Sequence, residues 1–153
     1  MIDEPQIVET VARAAAVIPF RIPKAKIGEV MGPAFGELFG TLAAQGIAPA
    51  GPAFSHHARL DPEYFEFEVG VPASKPVAAS GRVKPGELPG GRVIKTTYRG
   101  GYEGLGGGWG EFMKWIDASG LKTAGNFWEI YAAGPETGPD ESKWRTELVR
   151  ALA

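Results

Sequence analysis

Cysteine is absent from all 153 residues. That excludes disulfides, thiolate nucleophiles and cysteine-based metal sites, and it removes any redox mark of the compartment. Histidine is scarce too: His56 and His57 are the only two. An adjacent pair on a strand points to opposite faces, and without a third histidine a zinc site would need carboxylates from elsewhere; no metal and no cofactor is expected. Neither sign of charge dominates, with 16 basic against 18 acidic side chains, and no window gathers Lys and Arg. A chain with no basic footprint is not expected to bind nucleic acid directly. Long apolar runs are missing as well. The N-terminal stretch MIDEPQIVET is acidic and interrupted, so it reads neither as a signal peptide nor as a membrane span. A soluble, cytoplasmic protein without a membrane partner is the expectation.

What the chain does have is enough apolar content, 44%, for one domain with a sizeable core. Its 22 glycines and 13 prolines are spread along the chain at turn positions and not massed in a disordered tract. It also repeats itself. AFGELFGTLAAQGIAPAGPAF, residues 34–54, aligns without gaps on GWGEFMKWIDASGLKTAGNFW, residues 108–128, at an offset of 74 positions. Phe35 meets Trp109, Gly36 meets Gly110, Glu37 meets Glu111, Leu42 meets Ile116 and Gly46 meets Gly120 under that offset. Two copies are too few for a solenoid; they point to one domain, residues 1–153, made of two similar halves at about 6–73 and 88–152.

Each half reads in the same order. Ile27, Met31, Phe35, Leu38 and Leu42 fall at helical spacing, and Leu105, Trp109, Phe112 and Ile116 repeat the stripe. Gly46 and Gly120 are placed to stop these helices as left-handed caps. Strand-like runs precede them, AAAVIPFRI (14–22) and GRVIKTTYR (91–99). Others follow: AGPAFSHHARL (50–60) with YFEFEVGV (64–71), and AGNFWEIYAA (124–133) with KWRTELVRAL (143–152). Pro89-Gly90-Gly91 marks a turn, and SKPVAASGRV (74–83) is expected to be a linking edge strand because Pro76 suits an edge. The pattern predicts an α+β fold: a duplicated strand-helix-strand-strand module, an antiparallel sheet with two main helices, and a pocket between the halves.

One residue within these strands is out of keeping with its neighbours. In NFWEIYAAG, residues 126–134, Glu129 stands in an apolar run, and burying an unpaired charge costs several kcal/mol. Alternation puts Phe127, Glu129 and Tyr131 on one face and Trp128 and Ile130 on the other. The simple reading turns Trp128 and Ile130 to the helices and Glu129 to water. The aromatic company argues otherwise, because Phe127 and Tyr131 flank the carboxylate while Tyr98, Tyr102 and Trp109 gather at the start of the second helix. A cleft lined by rings with a carboxylate at its floor suits a flat, lipophilic cation: each ring face offers cation–π attraction of about 0.5 to 2 kcal/mol and the glutamate supplies the counter-charge. Desolvation should raise the carboxyl pKa when the cleft is empty.

Taken together, these motifs resemble the GyrI-like small-molecule-binding domain, the effector-binding domain of AraC- and MerR-type multidrug-sensing regulators. The resemblance rests on Pro89-Gly90-Gly91, Gly100-Gly101-Tyr102, the aromatic helix 109–116, Glu129-Ile130-Tyr131 and Thr146-Glu147-Leu148, and it extends to AGPAF and FEFEVGVPA in the first half. It implies a hydrophobic pocket between the halves, with Glu129 matching the family's drug-binding glutamate. No helix-turn-helix or winged-helix pattern is read ahead of the domain, so the resemblance implies the stand-alone form. The glycines at 104 and 106–108 read as an unusually flexible start to the second helix.

The leading expectation is therefore a binding protein that sequesters or senses lipophilic, cationic aromatic molecules. Its candidate ligand-binding residues are Glu129, Tyr131, Tyr98, Tyr102, Trp109, Phe127 and His57, the last because it aligns with Tyr131 at the same offset. An alternative that the resemblance permits is a hydrolase of cyclopropane-bearing antibiotics. In it Glu129 would activate water, and Tyr98 or Tyr131 would assist at the substrate carbonyl. A further alternative is a protein-interaction module akin to a gyrase inhibitor, which would call for an exposed apolar patch. Glu66 and Glu68 read as a polar strand face, without support for a glycosidase pair. GLGGGWG lacks the Lys-Ser/Thr of a phosphate loop.

Overall fold

The alternating runs of the sequence become strands, and among the described residues eight strands pair antiparallel in one sheet. The computed structural model describes residues 2–57 and 63–153. In chain order the elements are β1 (Gln6–Thr10), β2 (Arg13–Pro23), α1 (Ile27–Ala44), β3 (Phe54–His57), β4 (Tyr64–Pro72), β5 (Lys84–Leu88), β6 (Gly91–Arg99), α2 (Leu105–Ser119), β7 (Thr123–Ala133) and β8 (Arg145–Leu152). The last residues of the run expected as a strand after α1, 58–60, lie outside the described residues, as does the side chain of Ile27.

Both helices end as their glycines predict. Gly46 at φ 67° follows α1, and Gly120 at φ 75° caps α2. α1 covers β2 and β4, with Ala34, Leu38 and Leu42 buried against Ala16, Ile18, Phe67, Val69 and Val71. α2 covers the other half of the sheet, with Phe112 and Ile116 buried against Ile94, Tyr98 and Leu148. Each large side chain buried in this way contributes about 1.5–3 kcal/mol.

Sheet order is β1-β6-β8-β7-β3-β4-β2-β5. It reads the same from either end under the exchange of β3 with β7, β4 with β8, β2 with β6 and β5 with β1. The central pairing sets Phe54 opposite Ile130, Ser55 opposite Glu129, His56 opposite Trp128 and His57 opposite Phe127. Ser55 and Glu129 are also partners at the offset of 74 positions, so the local twofold passes between them. Two glutamates directly opposite there would repel; one half supplies a serine instead.

The two edge strands cross between the halves. β1 pairs with β6, and β5 pairs with β2. β1 is absent from the sequence expectation, being short and mostly exposed. The linking edge strand also differs from expectation. Residues 74–83 carry only a Ser80–Val83 bridge closed by two backbone hydrogen bonds of 2.9 Å, around Gly81 at φ 58°. That tight turn sends the chain on to β5, so the proline on the edge is Pro85 and not Pro76.

The face without helices is not open to water. The sheet curls over it, and Phe54 and Trp128 are 0% and 2% exposed there. Leu88 and Ile130 pack against both apolar clusters of this face. Where the two crossings meet, a Cβ on Gly90 would collide with the backbone of Val11 and Ala12, which explains a glycine in the Pro89-Gly90-Gly91 turn.

A cavity beside the local twofold

Because Trp128 and Ile130 fill the curled face, Glu129 is turned to the helix side, overturning the reading that exposes it on an open surface. There it borders a cavity of about 570 Å³. Tyr102, Leu105, Gly106, Trp109, Gly110 and Met113 line it from α2 and the turn before it, Phe127, Glu129 and Arg150 from β7 and β8, and His57 from β3. The cavity thus belongs chiefly to the second half, with one residue from the first. Gly106 and Gly110 have no atom within 4 Å of the place a Cβ would take, so missing side chains on α2 leave part of the space empty.

The carboxylate is fixed on both oxygens. Trp109 Nε1 donates to Oε2 at 2.6 Å and the Tyr131 hydroxyl donates to Oε1 at 2.7 Å. Ser55 Oγ lies 2.9 Å from the Tyr131 oxygen; since that tyrosine's single proton is given to Glu129, the serine is the donor. Burial pushes the Glu129 carboxyl above its ordinary range, and the two hydrogen bonds pull the other way. Tyr131 is raised well above the usual tyrosine range by burial and then by the charge of Glu129, which keeps it a neutral donor.

Rings surround this group. Phe127 packs edge-on to Trp109 with centroids 5.2 Å apart, and His57 is sandwiched between Phe127 at 4.8 Å and Phe67 at 5.0 Å. Tyr102 meets Tyr131 edge-on at 6.1 Å and leans on Trp144 at 5.3 Å. Phe35, expected only as core, reaches from α1 to Tyr131 at 5.7 Å. Tyr131 is not among the lining residues: it stands behind Glu129 and holds it.

Tyr98 departs from expectation. It is 5% exposed, belongs to the core under α2, and donates its hydroxyl to the Gly101 carbonyl at 2.8 Å. It is not among the residues that line the cavity. The reason lies in the glycines around it. A Cβ on Gly108 would sit 2.6 Å from the Tyr98 ring, and one on Gly104 would strike its hydroxyl. Gly104 and Gly108 are glycines because a tyrosine packs against them, where flexibility was the expectation; Gly106 and Gly107 meet no such neighbour. His56 points to the opposite face as the alternation requires, edge-on to Trp128 and 3.2 Å from Asn126 Nδ2. With Glu66 and Glu68 it borders a separate hollow of about 390 Å³.

Four contributors, Ser55, Gly106, Gly110 and Arg150, escaped the sequence. Ser55 could have been found by applying the 74-residue offset to Glu129 itself. Gly106 and Gly110 act by having no side chain. Arg150, 7% exposed, lies directly across the sheet from Phe127, and nothing in RTELVRAL marks its cation as inward-facing except alternation from Leu148.

No helix of the described residues is long and apolar enough to cross a membrane. No curated protein is significantly similar in sequence. Among solved structures, the C-terminal domain of EcmrR aligns with a TM-score of 0.84 at 15% identity, covering 98% of this chain and 97% of that one. EcmrR in a complex with DNA aligns at 0.81 and 16% identity, covering 97% of this chain, which spans only 58% of the length of that one. SAV2435, described as bound to tetraphenylphosphonium, aligns at 0.73 and 13% identity, covering 99% of this chain and 94% of that one. At such identities the likeness is one of fold. The assignment of family rests on sequence, which matches the GyrI-like small molecule binding domain across residues 3–152, and by that match the chain belongs to the GyrI-like family.

Proposed function

We propose that this protein captures lipophilic, cationic aromatic molecules in the cavity at Glu129, as a sequestering or sensing domain for drugs or toxins. The observation that carries the reading is the carboxylate held by Trp109 and Tyr131 at a ring-lined cavity with, among the described residues, no side-chain cation as a hydrogen-bond partner. Two hydrogen bonds leave lone pairs on both oxygens for a ligand. A cation entering the cavity gains ring faces and a counter-charge already desolvated. The phosphonium named for SAV2435 is a ligand of this class, which supports the reading and supplies a first probe.

A titration with tetraphenylphosphonium, other aromatic cations, their neutral isosteres and a cyclopropane-bearing ester tests it, with the compounds recovered and analysed afterwards. Saturable binding of the cations over the neutral isosteres, with compounds intact, is the expected result. Equal affinity for charged and neutral members would overturn it. A second reading, hydrolysis, is favoured by the raised pKa of Glu129, since a more basic carboxylate is a better general base for water. Against it, the Tyr98 proton is engaged with the Gly101 carbonyl and the Tyr131 proton with Glu129. Ring-opened or hydrolysed product in the recovered material decides for it.

A further inference from the structure

The cavity carries a second charge that binding of a simple cation does not use. Arg150 is buried on β8 and borders the same space as Glu129. Its three hydrogen bonds go to neutral acceptors: Nη1 donates to Met113 Sδ at 2.9 Å, and Nη2 donates to Thr123 Oγ1 and the Ala124 carbonyl, each at 2.9 Å. Nε is buried and, among the described residues, has no hydrogen-bond partner. A guanidinium offers five N–H donors in a planar fork suited to an oxyanion, and leaving a buried donor unmade is costly. Arg150 stands opposite Phe127 in the register, while Glu129 stands opposite Leu148. The two charges are thus diagonal neighbours, about 7–8 Å apart at the backbone, with the Phe127 ring beside them.

We propose that Arg150 is the anion subsite of this cavity, accepting a carboxylate, sulfonate or similar oxyanion on the ligand. Resting on the cation reading for Glu129, the inference narrows the ligand class to amphoteric aromatics, in which a lipophilic cation and an oxyanion are held by one rigid frame. A purely structural role for Arg150 would be to hold β7 at Thr123 and Ala124, where the pairing with β8 shifts register. That role alone would not make affinity depend on the ligand's anion.

Three probes separate these possibilities by calorimetric titration: tetraphenylphosphonium, (4-carboxyphenyl)triphenylphosphonium and biphenyl-4-carboxylate. The wild-type protein should bind the carboxylated phosphonium at least about tenfold more tightly than the parent, the worth of a charge-assisted hydrogen bond. Arg150→Met should erase that preference, and because it removes a like charge from the lining of the cavity it should strengthen, not weaken, binding of the parent cation. Should Arg150→Met fail to fold, Arg150→Lys serves: it keeps the charge without the planar fork and should retain a reduced preference. No preference in the wild type, or a preference that survives Arg150→Met, overturns the subsite. Arg150-dependent binding of biphenyl-4-carboxylate, with no binding of the parent cation, would sustain the subsite and remove the Glu129 reading.

Discussion

Burial raises the pKa of Glu129, and the sign of the consequence can be worked through. A carboxyl that titrates higher in the folded state than in the unfolded chain binds its proton more tightly when folded. Its cost to stability is absent below the ordinary carboxylate range, grows as pH rises through the interval up to the folded pKa, and is constant above it. Glu129→Gln removes that cost and keeps the shape of the side chain. The thermal midpoint of Glu129→Gln minus that of wild type should therefore be larger at pH 8 than at pH 4; a difference that does not change with pH would contradict the assigned burial. At this scale the sequence was informative where alternation alone decides. Phe127, Glu129 and His57 share a face because they sit at even spacing or directly opposite one another. It misplaced Tyr98, since only packing shows which of several rings lies under the glycines, and it was silent about Arg150, whose place depends on cross-strand pairing; Ser55 was legible through the offset of 74 positions.

Along α2 the glycines divide into two kinds. Gly108 is in close approach to Tyr98, whereas Gly107 has open space where a Cβ would stand. Overpacking costs about 1–3 kcal/mol, while removing glycine from an exposed helical position gains about 0.5–1 kcal/mol. Gly108→Ala should destabilise and Gly107→Ala should stabilise, as read by denaturant unfolding; equal effects would refute the packing account of Tyr98. Gly110, on the cavity wall, should accept Leu without loss of fold while weakening binding of the phosphonium several-fold by filling the space. The helices and most strands were legible to within a few residues because their periodicities are long and clean. β1 and β5 were not, because an edge strand of five residues with mostly exposed side chains carries little alternation to read.

The whole sheet is held by exchange. β1 lies in the first half of the chain and pairs with β6, and β5 precedes the second half and pairs with β2. Residues 6–73 alone would lose the partner of β1 and the edge of β2, and residues 88–152 alone would expose β6. Each would also uncover the shared face where Leu88 and Ile130 join the two clusters. Neither fragment should show a cooperative unfolding transition, as followed by circular dichroism, and a stable isolated half would refute the proposal of one domain built from two halves. The offset of 74 residues made the duplication visible in the sequence, but the crossing of the edges has no sequence signature.

The claim on which the functional account depends is that Glu129 is the counter-charge for the ligand. Its most direct test is the affinity for tetraphenylphosphonium measured against pH in wild type and Glu129→Gln. The account predicts a wild-type affinity that rises as pH passes through a midpoint above the ordinary carboxylate range and then levels off, and a Glu129→Gln affinity that is at least about tenfold weaker on that plateau and flat with pH. Two coincident curves would contradict it.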